Sequence, residues 1–134
     1  MRRLTVIFFI ALNLSPVLAQ NSEQYRACNE KTKTQNEMNS CASEEVARAN
    51  AQLNRAYRTL VSKAESQPEA LAKIKAAESA WIAYRNAYIV AMYPAKDKQA
   101  EYGSIYPMEA NLLRAKLTRQ QIEALGELLQ RYSK

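Results

Sequence analysis

Apolar side chains recur at steps of three and four residues over most of the chain, which is the spacing that keeps them on one face of an α-helix. The first row of this kind predicts a helix from about residue 34 to residue 64. Its members are Met38, Ala42, Val46, Ala49, Leu53, Ala56 and Leu60. The chain has only two glycines and few β-branched residues, so the pattern favours an all-α fold.

The segment ESQPEA separates this helix from a second one. Ser66 is the predicted N-cap, Glu69 stands in the capping-box position, and Pro68 suits the first turn of a helix. One side of the second helix carries a row of residues that we expect to face the core. The row consists of Leu71, Ile74, Glu78, Trp81, Arg85, Tyr88 and Met92. Pro94 should end the helix.

A polar, tyrosine-bearing connection, residues 94–107, leads to two shorter predicted helices. The first begins at Pro107 and ends near Lys116. The second begins after Thr118, a predicted N-cap with Gln121 in the capping-box position. The expected fold is therefore a small bundle of two long antiparallel helices, with two shorter C-terminal helices packed over them.

Residues 1–19 have the features of a secretory signal peptide. Two arginines precede an apolar run that ends at Leu12, and small residues lead to a cleavage site after Ala19. A membrane span is the alternative, but the run is short and Pro16 interrupts it. We expect residues 20–134 to form one exported domain, periplasmic or secreted, with no membrane contact after cleavage.

Charge and composition restrict the classes of function. The chain has 19 basic residues, 13 acidic residues and no histidine, a net charge of +6. Loss of Arg2 and Arg3 with the signal peptide leaves 17 basic residues against 13 acidic, a net charge of +4. These charges are scattered singly, which favours a solvated surface over a nucleic-acid groove. Without histidine or a free thiol, no catalytic set is evident, so we expect neither an enzyme nor a cofactor.

Cys28 and Cys41 are the only two cysteines, and export would place them in an oxidising compartment. They predict one disulfide, closing a loop of about 14 residues that the chain-entropy treatment values at roughly 3 kcal/mol. Zinc binding is the alternative, but two sulfurs without histidine supply too few ligands.

The stretch SAWIAYRNAY contains the single tryptophan of the chain. We expect Trp81 to lie in the core, sealing the second helix on the first, with Tyr88 on the same face. Leu53 and Tyr57 of the first helix receive the same structural assignment. Tyr84 points away from this face, so it is the better candidate for an exposed contact.

Arg85 leaves two interpretations open. Its position beside Trp81 predicts a half-buried side chain with a packed stem and a paired head group. The first interpretation is an internal ion pair with Glu78 on the same helix face, or with Glu37 or Glu45 on the first helix. The second is an arginine that faces a ligand.

Five short motifs occur in an order typical of one protein family. They are TQNEMNSCA (34–42), LNRAY (53–57), AWIAYRNA (80–87), GS (103–104) and LT (117–118). With them the chain resembles the lysozyme inhibitor LprI-like N-terminal domain family, from about Cys28 to Leu125. The resemblance implies a small exported α-helical domain whose partner is a protein, such as a lysozyme.

The chain departs from the family pattern at three positions. Members often carry a second cysteine pair, and the corresponding residues here are Ile89 and Leu113. This double change suggests an apolar contact in place of a crosslink, with the fold unchanged. An arginine usual after the Leu-Thr motif is Gln121 here, which puts any role of that arginine in doubt.

The function implied by the resemblance is inhibition of a lysozyme-type muramidase, whose cleft presents carboxylates. The connection AEYGSIYPM offers hydroxyl donors from Tyr102, Ser104 and Tyr106; its alternative role is to cover helix ends. We count these three residues, with Tyr84 and Arg85, as candidate partner-binding residues. A net charge of +4 gives no steering toward a basic lysozyme. The alternative function is a cell-envelope module that binds another exported protein or a cell-wall fragment.

Overall fold

The computed structural model describes residues 21–133, and the predicted signal peptide lies outside them. The helices are α1 (Glu23–Asn29), α2 (Gln35–Lys63), α3 (Pro68–Met92), α4 (Lys98–Tyr102) and α5 (Tyr106–Tyr132), with a 3-10 turn, Gly103–Ile105, between α4 and α5. The all-α prediction is confirmed. Within the described range, no helix is both long and apolar enough to cross a membrane.

Helix α2 has the predicted bounds, because local hydrogen bonds fix both of its ends. The Thr34 side chain accepts a hydrogen bond from the Glu37 backbone N–H, and the Glu37 carboxylate accepts one from the Thr34 N–H. This reciprocal pair is a capping box. Ala64 is the C-cap, and its N–H bonds to the Leu60 carbonyl.

Helix α3 begins at Pro68 and ends at Met92 as predicted, but its N-cap is Gln67 and not Ser66. Proline disfavours the helical region for the residue before it, and Gln67 accordingly has an extended φ of −122°. Gln67 is therefore the last non-helical residue, and Ser66 lies one position too early to cap. No side chain caps this helix.

Helix α5 corrects the prediction of two shorter C-terminal helices, because one continuous helix runs from Tyr106 to Tyr132. Thr118 does not cap a new helix; its side chain is fully buried in the middle of α5. Its hydroxyl donates to the Arg114 carbonyl one turn earlier, at 2.8 Å. A threonine bonded in this way satisfies its own hydroxyl and lets the backbone continue. The bundle thus has three long helices.

The N-terminal end of the bundle contains a short helix, α1, that the sequence pattern did not predict. The disulfide between Cys28 and Cys41 joins it to α2, with Cα atoms 5.8 Å apart, and this predicted crosslink is confirmed. Tyr25 of α1 is buried in the same cluster as Cys41 and Ala42. Two residues of α5, Met108 and Leu112, pack against this cluster.

The main core lies between the three long helices. Its buried members are Leu53, Leu60, Ala64, Ile74 and Leu125. Trp81 and Tyr57 are partly buried and pack against this core.

Tyr88 is not in the core as predicted, since its side chain is 39% exposed, and Met92 is 52% exposed. The buried residue at this level of α3 is Ile89, which contacts Ala110 and Leu117 of α5. The buried row therefore continues from residue 85 by a step of four and not of three. That choice turns the neighbouring Tyr88 toward solvent.

Candidate functional site

Three tyrosines meet at the C-terminal end of α3. Tyr93 caps α3, Tyr102 ends α4, and Tyr106 begins α5. The ring of Tyr93 meets the other two edge to face, with centroids 5.3 Å from Tyr102 and 5.1 Å from Tyr106. The rings of Tyr102 and Tyr106 stack at 5.9 Å. We call residues 93–106 the tyrosine turn; mutual aromatic packing of this kind holds its rings in one arrangement.

Hydrogen bonds fix the backbone of the tyrosine turn. The Tyr102 hydroxyl accepts a bond from the Ala95 backbone N–H at 3.2 Å. The Lys98 ammonium donates to the carbonyls of Tyr93 and Ala95, which covers acceptors left by the end of α3. The turn is therefore a compact helical connection and not an open loop.

The Tyr93 hydroxyl points to α5, where it donates to Glu109 at 3.4 Å. Partial burial raises the pKa of Tyr93, and the negative charge of Glu109 raises it further. Tyr93 therefore stays neutral at physiological pH and can keep this hydrogen bond as a donor.

Gly103 and Ser104 form the tip between the two stacked tyrosines. Gly103 has a φ of +72°, in the region that favours glycine, and no atom lies within 4 Å of where a Cβ would be. Glycine is needed there for its backbone conformation and not for space. The Ser104 side chain is exposed, while its carbonyl accepts from the Asn39 amide of α2 at 3.2 Å. The structure thus brings Tyr102, Ser104 and Tyr106 together.

The other two candidate residues lie on α3, apart from the tip. Tyr84 is 56% exposed, as predicted, and its ring lies 5.8 Å from that of Tyr88. Arg85 points into the bundle, where Nη1 is 3.5 Å from the Asn50 Oδ1 and 3.4 Å from the Thr118 hydroxyl. Arg85 therefore cannot share a contact surface with Tyr84.

The predicted ion pair of Arg85 is not formed. Its guanidinium lies over the Trp81 ring, 4.9 Å from the centroid, and no carboxylate of the described residues lies within ion-pair distance of it. Burial lowers the pKa of Arg85, and the nearby charge of Arg114 lowers it further. The side chain is a packed cation inside the bundle, held by an aromatic face and two neutral oxygens.

The strongest internal ion pair involves Glu45, which the sequence indicated only as one possible partner of Arg85. Its carboxylate is 1% exposed and accepts from Arg119 at 2.7 Å and from Arg48 at 3.1 Å. The backbone N–H of Ser22 donates to it at 2.9 Å. Burial alone raises the pKa of Glu45, but these hydrogen bonds and charges outweigh burial and lower it. Glu45 therefore ties the start of α1 to α2 and α5.

Comparisons with known proteins identify the family to which the chain belongs. The family described as lysozyme inhibitor LprI matches residues 27–125. The chain belongs to the lysozyme inhibitor LprI family. The uncharacterized protein R02472 of Rhizobium meliloti (strain 1021) is 29% identical over 132 residues, 90% of this chain and 92% of that protein. No solved structure gives a significant match.

The three positions at which the sequence departs from the expected family pattern, Ile89, Leu113 and Gln121, all lie between α3 and α5. Ile89 and Leu113 belong to one apolar cluster between α3 and α5, as expected if packing replaces a crosslink there. The amide of Gln121 donates to the buried Glu78 carboxylate at 2.9 Å. Gln121 therefore joins α5 to α3 through a hydrogen bond from an uncharged donor.

Proposed function

We propose that this protein is exported and inhibits a lysozyme-type muramidase by binding it, without catalysis of its own. Membership of the LprI family supports the target class. The observation that carries the proposal is the tyrosine turn, which presents hydroxyl groups on a rigid aromatic base at one end of the bundle. Tyr102, Ser104 and Tyr106 are the proposed contact residues.

The chemistry of the turn suits an acidic cleft. A muramidase presents catalytic carboxylates to its substrate, and these accept hydrogen bonds. The Tyr102 hydroxyl accepts a bond from Ala95 and so retains its own proton for donation to a partner. The Ser104 hydroxyl is exposed beside it. Because ring packing and backbone bonds already order the turn, binding would cost little conformational entropy.

The positive charge of the chain favours a second candidate function, a cell-envelope module that binds another exported protein or a cell-wall fragment. A molecule of net charge +4 gains no long-range attraction to a basic lysozyme. An acidic partner in the cell envelope would gain this long-range attraction. The inhibition assay separates the two functions directly.

The test is muramidase activity on cell walls with the mature protein in excess. Ser104→Glu should reduce inhibition at least about tenfold, because it places a negative charge at the tip against the carboxylates of the cleft. The packing of the turn uses the Ser104 carbonyl and not its side chain, so folding should not change.

The matched control is Ser62→Glu, the same substitution at an exposed position of α2. Ser62 lies about 35 Å along α2 from Asn39, the residue that bonds to Ser104. Its inhibition should equal that of the wild type. Undiminished muramidase activity with the wild-type protein, across several lysozyme classes, would exclude inhibition and leave the envelope module.

A further inference from the structure

Asn39 is the polar residue of the TQNEMNSCA motif that α2 itself does not explain. Thr34 and Glu37 of the motif cap α2, and Cys41 forms the disulfide. Asn39 lies in the second turn of α2, and its side chain makes no hydrogen bond to the backbone of that helix. Asparagine is a poor helix former, because its side chain competes for backbone groups. Its role must therefore be sought in contacts outside α2.

The Asn39 carboxamide joins two neighbouring groups. Its Nδ2 donates to the Ser104 carbonyl at 3.2 Å, and its Oδ1 accepts from the Gln35 amide at 2.9 Å. The same Gln35 amide lies 3.9 Å from the Met108 sulfur, in the first turn of α5. A carboxamide has its acceptor on one side and its donor on the other. The bond from Gln35 therefore holds the oxygen of Asn39 and leaves the donor directed to Ser104.

The tip of the tyrosine turn needs an anchor of this kind. The hydrogen bonds made by Tyr102 and Lys98 fix the backbone before Gly103. Gly103 then interrupts the chain with a φ of +72°, and glycine has the widest backbone freedom of any residue. Among the described residues, Asn39 supplies the only side-chain hydrogen bond to the tip. The order of the tip thus depends on α2.

We propose that Asn39 is the positioning residue of the lysozyme contact. It holds the Ser104 carbonyl, and so orders the backbone that presents the Ser104 hydroxyl to a carboxylate of the cleft. The inference rests on the proposed function. Without the anchor, the tip would keep every contact group but would lose its freedom only on binding, which weakens affinity. The expected weakening is about three- to tenfold, the ratio that corresponds to one hydrogen bond.

Two substitutions test the donor. Asn39→Leu has a similar size, removes both polar atoms and raises helix propensity, so α2 is not weakened. Asn39→Asp keeps an oxygen that accepts from Gln35 but has no hydrogen to donate to Ser104. The matched controls are Asn36→Leu and Asn36→Asp, the same changes at an exposed position of the first turn of α2. Asn36→Asp also reproduces the change in net charge.

The order of the tip is measured by ¹⁵N relaxation of the Gly103 and Ser104 amides. Order parameters should be near about 0.85 in the wild type and in both Asn36 variants, and below about 0.6 in both Asn39 variants. The inhibition constant against a muramidase should rise about three- to tenfold in the Asn39 variants. It should not change in the controls.

Each readout decides a separate part of the proposal. A tip that stays rigid in both Asn39 variants would overturn it, whatever happens to inhibition. Wild-type order in Asn39→Asp alone would assign the effect to the Gln35 bond and also overturn it. A mobile tip with full inhibition would refute the role of order in binding. A wild type that inhibits no lysozyme refutes the proposed function, and the order parameters then still decide whether Asn39 positions the tip.

Discussion

At the scale of single residues, the bundle gives its internal charges three different environments. Glu45 pairs with two arginines, Glu78 accepts from a glutamine amide, and Arg85 lies on a tryptophan ring. From the sequence, several carboxylates were within reach of Arg85, because residues three, four and seven apart share a helix face. Which one pairs depends on the rotation of the helices about their axes, and single-residue spacing does not fix that rotation.

Glu45→Gln should lower the free energy of unfolding by about 1.5–3 kcal/mol at neutral pH, because it removes the buried carboxylate that accepts hydrogen bonds from the half-buried Arg48 and Arg119. The pKa of Glu45 is lower in the folded than in the unfolded state. Its contribution is therefore complete above the unfolded pKa and is lost as the pH falls through the folded one. Urea unfolding should show the gap between wild type and variant closing below about pH 4.

The control for this prediction is Glu44→Gln, which removes an exposed carboxylate 3.7 Å from Arg48. Its effect should stay below about 1 kcal/mol, as for other surface pairs. If the difference in unfolding free energy between the wild type and Glu45→Gln persists unchanged to about pH 3, the ionised form of Glu45 is not what stabilises the fold.

At the scale of elements, the continuity of α5 is the main difference between expectation and structure. Gln120 is exposed in the middle of this helix. Gln120→Pro removes a backbone hydrogen bond and places a ring against the preceding turn, so it should cost about 3 kcal/mol or more. In a helix that began after Thr118, the same proline would lie in the first turn and be tolerated. Thermal unfolding monitored by circular dichroism, with Gln120→Ala as the neutral control, distinguishes a continuous α5 from a helix that begins after Thr118.

The elements that sequence predicted best are those whose ends are decided locally. Thr34 and Glu37 cap each other within four residues, and Pro68 fixes the start of α3 whatever packs against it. The prediction that Thr118 caps a separate helix was wrong because its hydroxyl has a competing local partner, the Arg114 carbonyl. This bond becomes favourable once Thr118 is buried against α3, where Arg85 also reaches its hydroxyl. Helix α1 is only seven residues long and depends on the disulfide and Glu45, which are contacts distant in sequence.

The candidate site was predictable in part for the same reason. Tyr102, Ser104 and Tyr106 are close in sequence, so a short connection was bound to keep them together. The third ring of the cluster, Tyr93, was missed because it belongs to the end of α3 and reaches the others only through the fold. Tyr88 was placed in the core because steps of three and four are both helical, and tertiary packing on α5 selected the step to Ile89.

At the scale of the whole molecule, the proposed lysozyme contact lies at one end of the bundle. The tyrosine turn follows the C-terminal end of α3 and is joined to the start of α2 by the bond from the Asn39 amide to the Ser104 carbonyl. The opposite end, where α2 ends and α3 begins, can therefore carry control substitutions without touching the turn.

Net charge governs how fast such a molecule meets a basic lysozyme. Two positive proteins repel over about 30 Å at 0.01 M salt and over about 8 Å at 0.15 M. The association rate constant measured by stopped flow should therefore increase as salt is added, while the dissociation rate changes little. The double variant Lys73→Glu/Lys75→Glu lowers the net charge by four at exposed positions of α3, away from the turn. Its association should be faster at low salt and nearly independent of salt. Association of the wild type that slows with salt would instead show that attraction by the carboxylates of the turn, Asp97 and Glu101, outweighs the net charge.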